Sequence, residues 1–193
     1  MRFKLLMILC LGSTSAFAQT KHIPDRKQDI FWTELQKLCG KAYEGKMIAG
    51  PENDTTFANK TLIMRVLKCS KEQIYIPFFV GTDRSRTWIF TQHEKGLSLK
   101  HDHRHLDGKP DSITFYGGHT TNHGSATRQI FPADQETADM LPAAIGNVWW
   151  VDLVPGEYFN YNLRRVNTDR VFTIRFDLKK EINTEQKPWG WKE

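Results

Sequence analysis

The chain has 193 residues, a formal net charge of +5, 39% hydrophobic and 25% charged residues. That length suits one domain with a sizeable core. Removing Arg2 and Lys4 with the leader described next takes two charges away, and no basic run remains, which argues against a nucleic-acid binder.

Residues 1–18 read as a cleavable signal peptide: Arg2 and Lys4 precede the apolar run Leu5 to Leu11, and small residues end at Ala18. No later stretch approaches the roughly 20 apolar residues of a transmembrane helix. The expected destination is the periplasm or the exterior. Cleavage removes Cys10 and leaves Cys39 and Cys69, for which an oxidising compartment makes a disulfide the default.

Residues 19–29 form a polar leader, and the spacing of Ile30, Phe31, Leu35 and Leu38 predicts one short helix over 28–39 with Gly40 just past its end. The period then changes to two, as in Ile74, Ile76, Phe78 and Val80, and again in Phe172, Ile174, Phe176 and Leu178. Turn signals such as Gly81-Thr82-Asp83, Asp107-Gly108 and Pro155-Gly156 punctuate these runs at short intervals. The expectation is a mainly all-β chain: an antiparallel meander of about ten strands over 30–180, with one helical insertion near Asp134 to Met140. A closed barrel removes sheet edges; a two-sheet sandwich is its competitor. Residues 181–193 read as a flexible tail whose Trp189 and Trp191 are candidates for contact with a partner in the envelope.

A helix followed by an up-and-down run of strands resembles the calycin (lipocalin-like) barrels, although Gly40-Lys41-Ala42 departs from the Gly-x-Trp opening of lipocalins. The segments DRSRTW (83–88) and KHDHRH (100–105) are similar to those of a group of uncharacterised exported bacterial proteins, from which no function carries over.

Alternation along a strand places Leu97, Leu99, His101, His103 and His105 on one face, with Ser98, Lys100, Asp102 and Arg104 on the other. Pairing His93 with Gly96 sets Phe90 against Leu99, Trp88 against His101, Arg86 against His103 and Arg84 against His105. A bulge at Gly96 instead brings Arg86 beside Arg104, and like charges facing each other disfavour it. The first register makes one face that runs from greasy to basic. Arg84, Arg86, Trp88, His101, His103 and His105 are therefore candidate ligand contacts for a small anionic or amphipathic molecule, because guanidinium forks match carboxylate or phosphate. The plainer reading is a wet barrel mouth whose arginines pair with Asp83, Asp102 or Asp107.

A second reading is a zinc or copper site, with or without hydrolase activity. Histidines four apart on a strand have backbones about 13 Å apart, whereas nitrogens around one tetrahedral zinc lie within about 3.4 Å of each other. One ion can thus take two of His101, His103 and His105, and His119 or His123 in GGHTTNHG would complete the set. A cupin-like arrangement lacks its later histidine strand. For covalent catalysis no Gly-x-Ser-x-Gly elbow occurs, Ser125 merely follows His123 closely, and both cysteines are expected in a bridge. Acid–base chemistry at His101 or His103 with Arg86 is the residual enzymatic reading. Trp149, Trp150, Tyr158 and Tyr161 are candidate stacking residues or ordinary interstrand packing.

Overall fold

The computed structural model describes residues 27–192, so the expected signal peptide and most of the expected leader lie outside the described residues. Helix α1 (Lys27–Gln36) precedes β1 (Ala42–Ala49), β2 (Leu62–Arg65), β3 (Lys68–Cys69), β4 (Gln73–Val80), β5 (Asp83–His93), β6 (Gly96–His103), β7 (Tyr116–His119) and β8 (Arg128–Pro132). Helix α2 (Gln135–Met140), a 3-10 turn (Pro142–Ala144), β9 (Asn147–Val154), β10 (Tyr158–Arg165) and β11 (Val171–Ile182) complete the chain. The helix starts three residues inside the segment expected to be leader.

Apart from β3, which pairs with β4 alone, the strands follow one antiparallel path, β7-β6-β5-β4-β2-β1-β11-β10-β9-β8. Neighbours on that path are consecutive in sequence except β2 and β4, which skip β3, and β1 and β11, which join the two ends of the domain. The remaining edges, β7 and β8, meet through a bridge between Gly118 and Ala133 and a 3.0 Å bond donated by the Asp134 N–H to the Gly117 carbonyl. Closure there depends on glycine: a Cβ on Gly118 would lie 1.7 Å from the Pro132 carbonyl oxygen. The sheet is a nearly closed ten-strand barrel, not a sandwich.

Alternation fills its interior with residues such as Leu62, Met64, Ile76, Phe90, Leu99, Val151, Phe159 and Ile174, all buried. Helix α1 adds Phe31, Trp32 and Leu35 to that core at the end where β5 turns into β6, and Gln28 donates to the Thr120 hydroxyl (2.9 Å) and the Asn122 carbonyl (3.0 Å). Cys39 and Cys69 form a disulfide with Cα atoms 6.2 Å apart, tying the exit of α1 to β3. At α2 the Asp134 carboxylate caps the helix by accepting from the Thr137 N–H, as its place before Gln135 suggests. No described helix is long and apolar enough to cross a membrane.

The expected mobile tail is a correction. Strand β11 runs to Ile182, and the segment after it lies against the outer wall of β4 to β6: the Trp189 N–H donates to the Arg84 carbonyl (3.1 Å), Trp191 packs edge-on against Tyr75 and Gly190 presses on Gly108. A small residue at both Gly108 and Gly190 is what lets the two backbones touch.

Candidate ligand cavity

Strands β5 and β6 pair His93 with Gly96, Phe90 with Leu99, Trp88 with His101 and Arg86 with His103. The turn side of this hairpin adjoins α1, so Arg86 and His103 stand at the opposite, open end of the barrel. There a cavity of about 240 Å³ is bounded by β4, β5, β6, β7, β9, β10 and β11. Its walls are aromatic: Trp88 stacks between Phe78 (4.7 Å) and Tyr161 (4.3 Å), and Phe57, from the β1–β2 connection, packs on Phe78 and Phe172. Phe57 is held by a turn in which its N–H and that of Ala58 donate to the Asp54 carboxylate.

His101 is buried and satisfied on both nitrogens. The Tyr116 carbonyl can only accept, so Nδ1 donates to it (3.0 Å); Nε2 is then a bare acceptor and accepts a hydrogen bond from the Tyr161 hydroxyl at 2.7 Å. Burial pushes its pKa down to about 3. His103 Nε2 lies 3.0 Å from the Tyr116 hydroxyl, and burial, with the Arg86 charge second, lowers its pKa as well. Burial pushes Tyr116 up to about 12 and raises Tyr161 well above the usual phenol. At neutral pH the aromatic and imidazole lining is therefore uncharged.

The charge in the cavity comes from arginine. Arg86 is paired to Asp83 at 2.5 Å, which realises part of the plainer reading, while Arg165 and Arg170 also line the space and, among the described residues, no aspartate or glutamate does. Arg165 Nε donates to Asn147 Oδ1 at 2.8 Å, which fixes the plane of its guanidinium. Sequence reasoning passed over Arg165 and Arg170, although a signal was there. Leu163 and Tyr161 face inward on β10, so Arg165 does too, and the Asn167-Thr168-Asp169 turn sets Arg170 opposite it.

Of the residues singled out from sequence, Arg86, Trp88, His101, His103, Trp149 and Tyr161 line the cavity. Arg84 and His105 do not: Arg84 lies where the C-terminal segment crosses β5, and the chain leaves the strand after His103 so that the exposed His105 turns back to the Lys109 carbonyl. Trp150 and Tyr158 face outward, the latter beneath Arg175 at 4.3 Å.

The three-histidine metal arrangement is not assembled. His119 pairs with Ser98 and so shares the outer face, where its Nδ1 lies 3.2 Å from the Asp134 carboxylate and its ring 5.5 Å from that of His93. His123 sits in the loop held by Gln28 at the α1 end, far from His103 along the barrel. Alternation across the wall separates what spacing in sequence put side by side, and among the described residues no group of three or more His, Cys, Asp or Glu side chains could hold an ion. Comparison with family models, curated proteins and solved structures found no match for the chain.

Proposed function

We propose that this is an exported barrel protein that binds a small molecule bearing an acidic group in the open-end cavity. The observation that carries the reading is the lining itself: three arginines, no carboxylate among the described residues, and a wall of stacked rings around one open-ended cavity. A guanidinium in a partly dry site forms charge-assisted bonds to an anion, and a flat apolar body gains roughly 0.5–1.5 kcal/mol per ring contact beyond burial. The volume, about 240 Å³, lies just under the range of drug-sized sites and suits a ligand of one or two rings. The N-terminal leader pattern and the Cys39–Cys69 bridge support export to the periplasm or exterior.

Trp88 and Trp149 make the cavity self-reporting. Titration with benzoate and with phenyl phosphate should change tryptophan fluorescence saturably at one molecule per chain, whereas phenol, which lacks the charge, should not. Arg86→Gln should weaken both acids about tenfold or more, the loss of one charged hydrogen-bonding partner. No saturable change with either acid, or equal response to phenol, would reject the reading.

A further inference from the structure

The uncompensated charge at the cavity lies on one hairpin. The β10–β11 register pairs Arg164 with Val171, so the next facing pair is Arg165 with Arg170, joined by a 2.9 Å bond from the Arg165 N–H to the Arg170 carbonyl. Directly facing residues of an antiparallel pair project from the same side, and like charges there are destabilising. Both side chains line the cavity, and among the described residues neither has a carboxylate within ion-pair distance. Arg86, by contrast, already has Asp83. With its Nε committed to Asn147, Arg165 keeps four N–H groups with no acceptor among the described residues. Burial, then the Arg170 charge, holds Arg165 below the ordinary guanidinium pKa, consistent with that repulsion.

We propose that Arg165 and Arg170 form a two-pronged clamp for a doubly charged head group, a phosphate monoester, whose flat apolar body lies on the aromatic wall formed by Trp88, Phe57 and Phe172. This rests on the ligand-binding reading of the cavity and specifies its ligand. Two forks on one side of a hairpin present more donors than one carboxylate can accept, whereas a phosphate monoester has three terminal oxygens and carries nearly two charges above its second pKa of about 6. The head group that neutralises both arginines also removes the repulsion between them.

The test compares phenyl phosphate, benzoate and inorganic phosphate at pH 7.5 and constant ionic strength, by calorimetry and thermal melting, on the wild type, Arg165→Gln and Arg170→Gln. Phenyl phosphate should bind at least tenfold more tightly than benzoate and more tightly than inorganic phosphate. Each variant should bring phenyl phosphate and benzoate to within about threefold of one another. Ligand-free Arg170→Gln, altered at an exposed position, should melt no lower than the wild type, and inorganic phosphate should raise the wild-type Tm more than that of either variant. If benzoate matches phenyl phosphate on the wild type, or both variants keep the preference, the clamp is refuted while anion binding stands. If neither acid binds, the ligand-binding reading and the clamp fall together.

Discussion

At the scale of single residues, the neutral imidazole of His101 has a cost in acid. Above about pH 6.5 it is neutral in the folded and unfolded chain alike; below that the unfolded chain takes up a proton that the folded barrel refuses until about pH 3. Stability is therefore lost as pH falls from 6.5 toward 3, by an amount of the order of 5 kcal/mol for this group at the acid limit, and His103, lowered in the same direction, adds to the loss. Urea midpoints at pH 7 and pH 4.5 should show it. Tyr161→Phe at pH 7 orphans the His101 acceptor and should cost about 1–3 kcal/mol, whereas adding His101→Leu removes both partners and should recover part of that loss. The double variant should also have a flatter pH profile between 6.5 and 4.5. An unchanged profile would mean that His101 is not the buried titrating group.

At the scale of elements, the seam between β7 and β8 is the weakest part of the barrel wall, a bridge and one hydrogen bond where other neighbours share full ladders. Gly118→Ala puts a methyl group against the Pro132 carbonyl and should cost about 1–3 kcal/mol, with faster hydrogen exchange at the Asp134 amide, which donates across the seam, before any other strand is affected. Retained protection at the Asp134 amide would show that the seam absorbs the methyl. The Cys39–Cys69 bridge acts at the other end of the molecule: it spans 30 residues, and its reduction should lower unfolding free energy by about 3–4 kcal/mol on the chain-entropy account, read from denaturant midpoints with and without reductant.

At the scale of the whole molecule, the two ends of the barrel have different tasks. Helix α1 and the disulfide stop one end with apolar side chains, and the other is left open, lined with rings and guanidinium groups. The segment after Ile182 braces the wall that carries Arg86 and His103 from outside, with Pro188 buried and Arg65 donating to the Gln186 carbonyl at 2.8 Å. A chain ending at Asn183 should lose about 2 kcal/mol, a Tm decrease of roughly 4–8 °C, because Tyr75 and the outer face of β5 become wet. An unchanged Tm would show that the brace contributes nothing.

Period-two runs and short turn spacings were enough to read the antiparallel meander, the helical insertion after Asp134 and the β5–β6 register. Those features are local: alternation fixes the face of each side chain, and facing like charges disfavour the slipped pairing. The cysteine pair was legible from count and compartment. His105 was misplaced because nothing local says that β6 stops at His103, and Arg84 because the irregular register of β4 against β5 beside it leaves no mark in the sequence. The polar C-terminal segment looked unattached because its partners, Arg84 on β5, Tyr75 on β4 and Gly108 in the turn after β6, lie far away in the chain. Arg165 and Arg170 carried a readable hairpin signal, but only closure of β1 on β11 brings that hairpin around to the cavity that Arg86 and His103 enter. Sequence alone decided which side chains face inward; tertiary structure decided which of them meet, because a barrel joins strands far apart along the chain and its wall divides neighbours such as His101 and His119 between inside and outside.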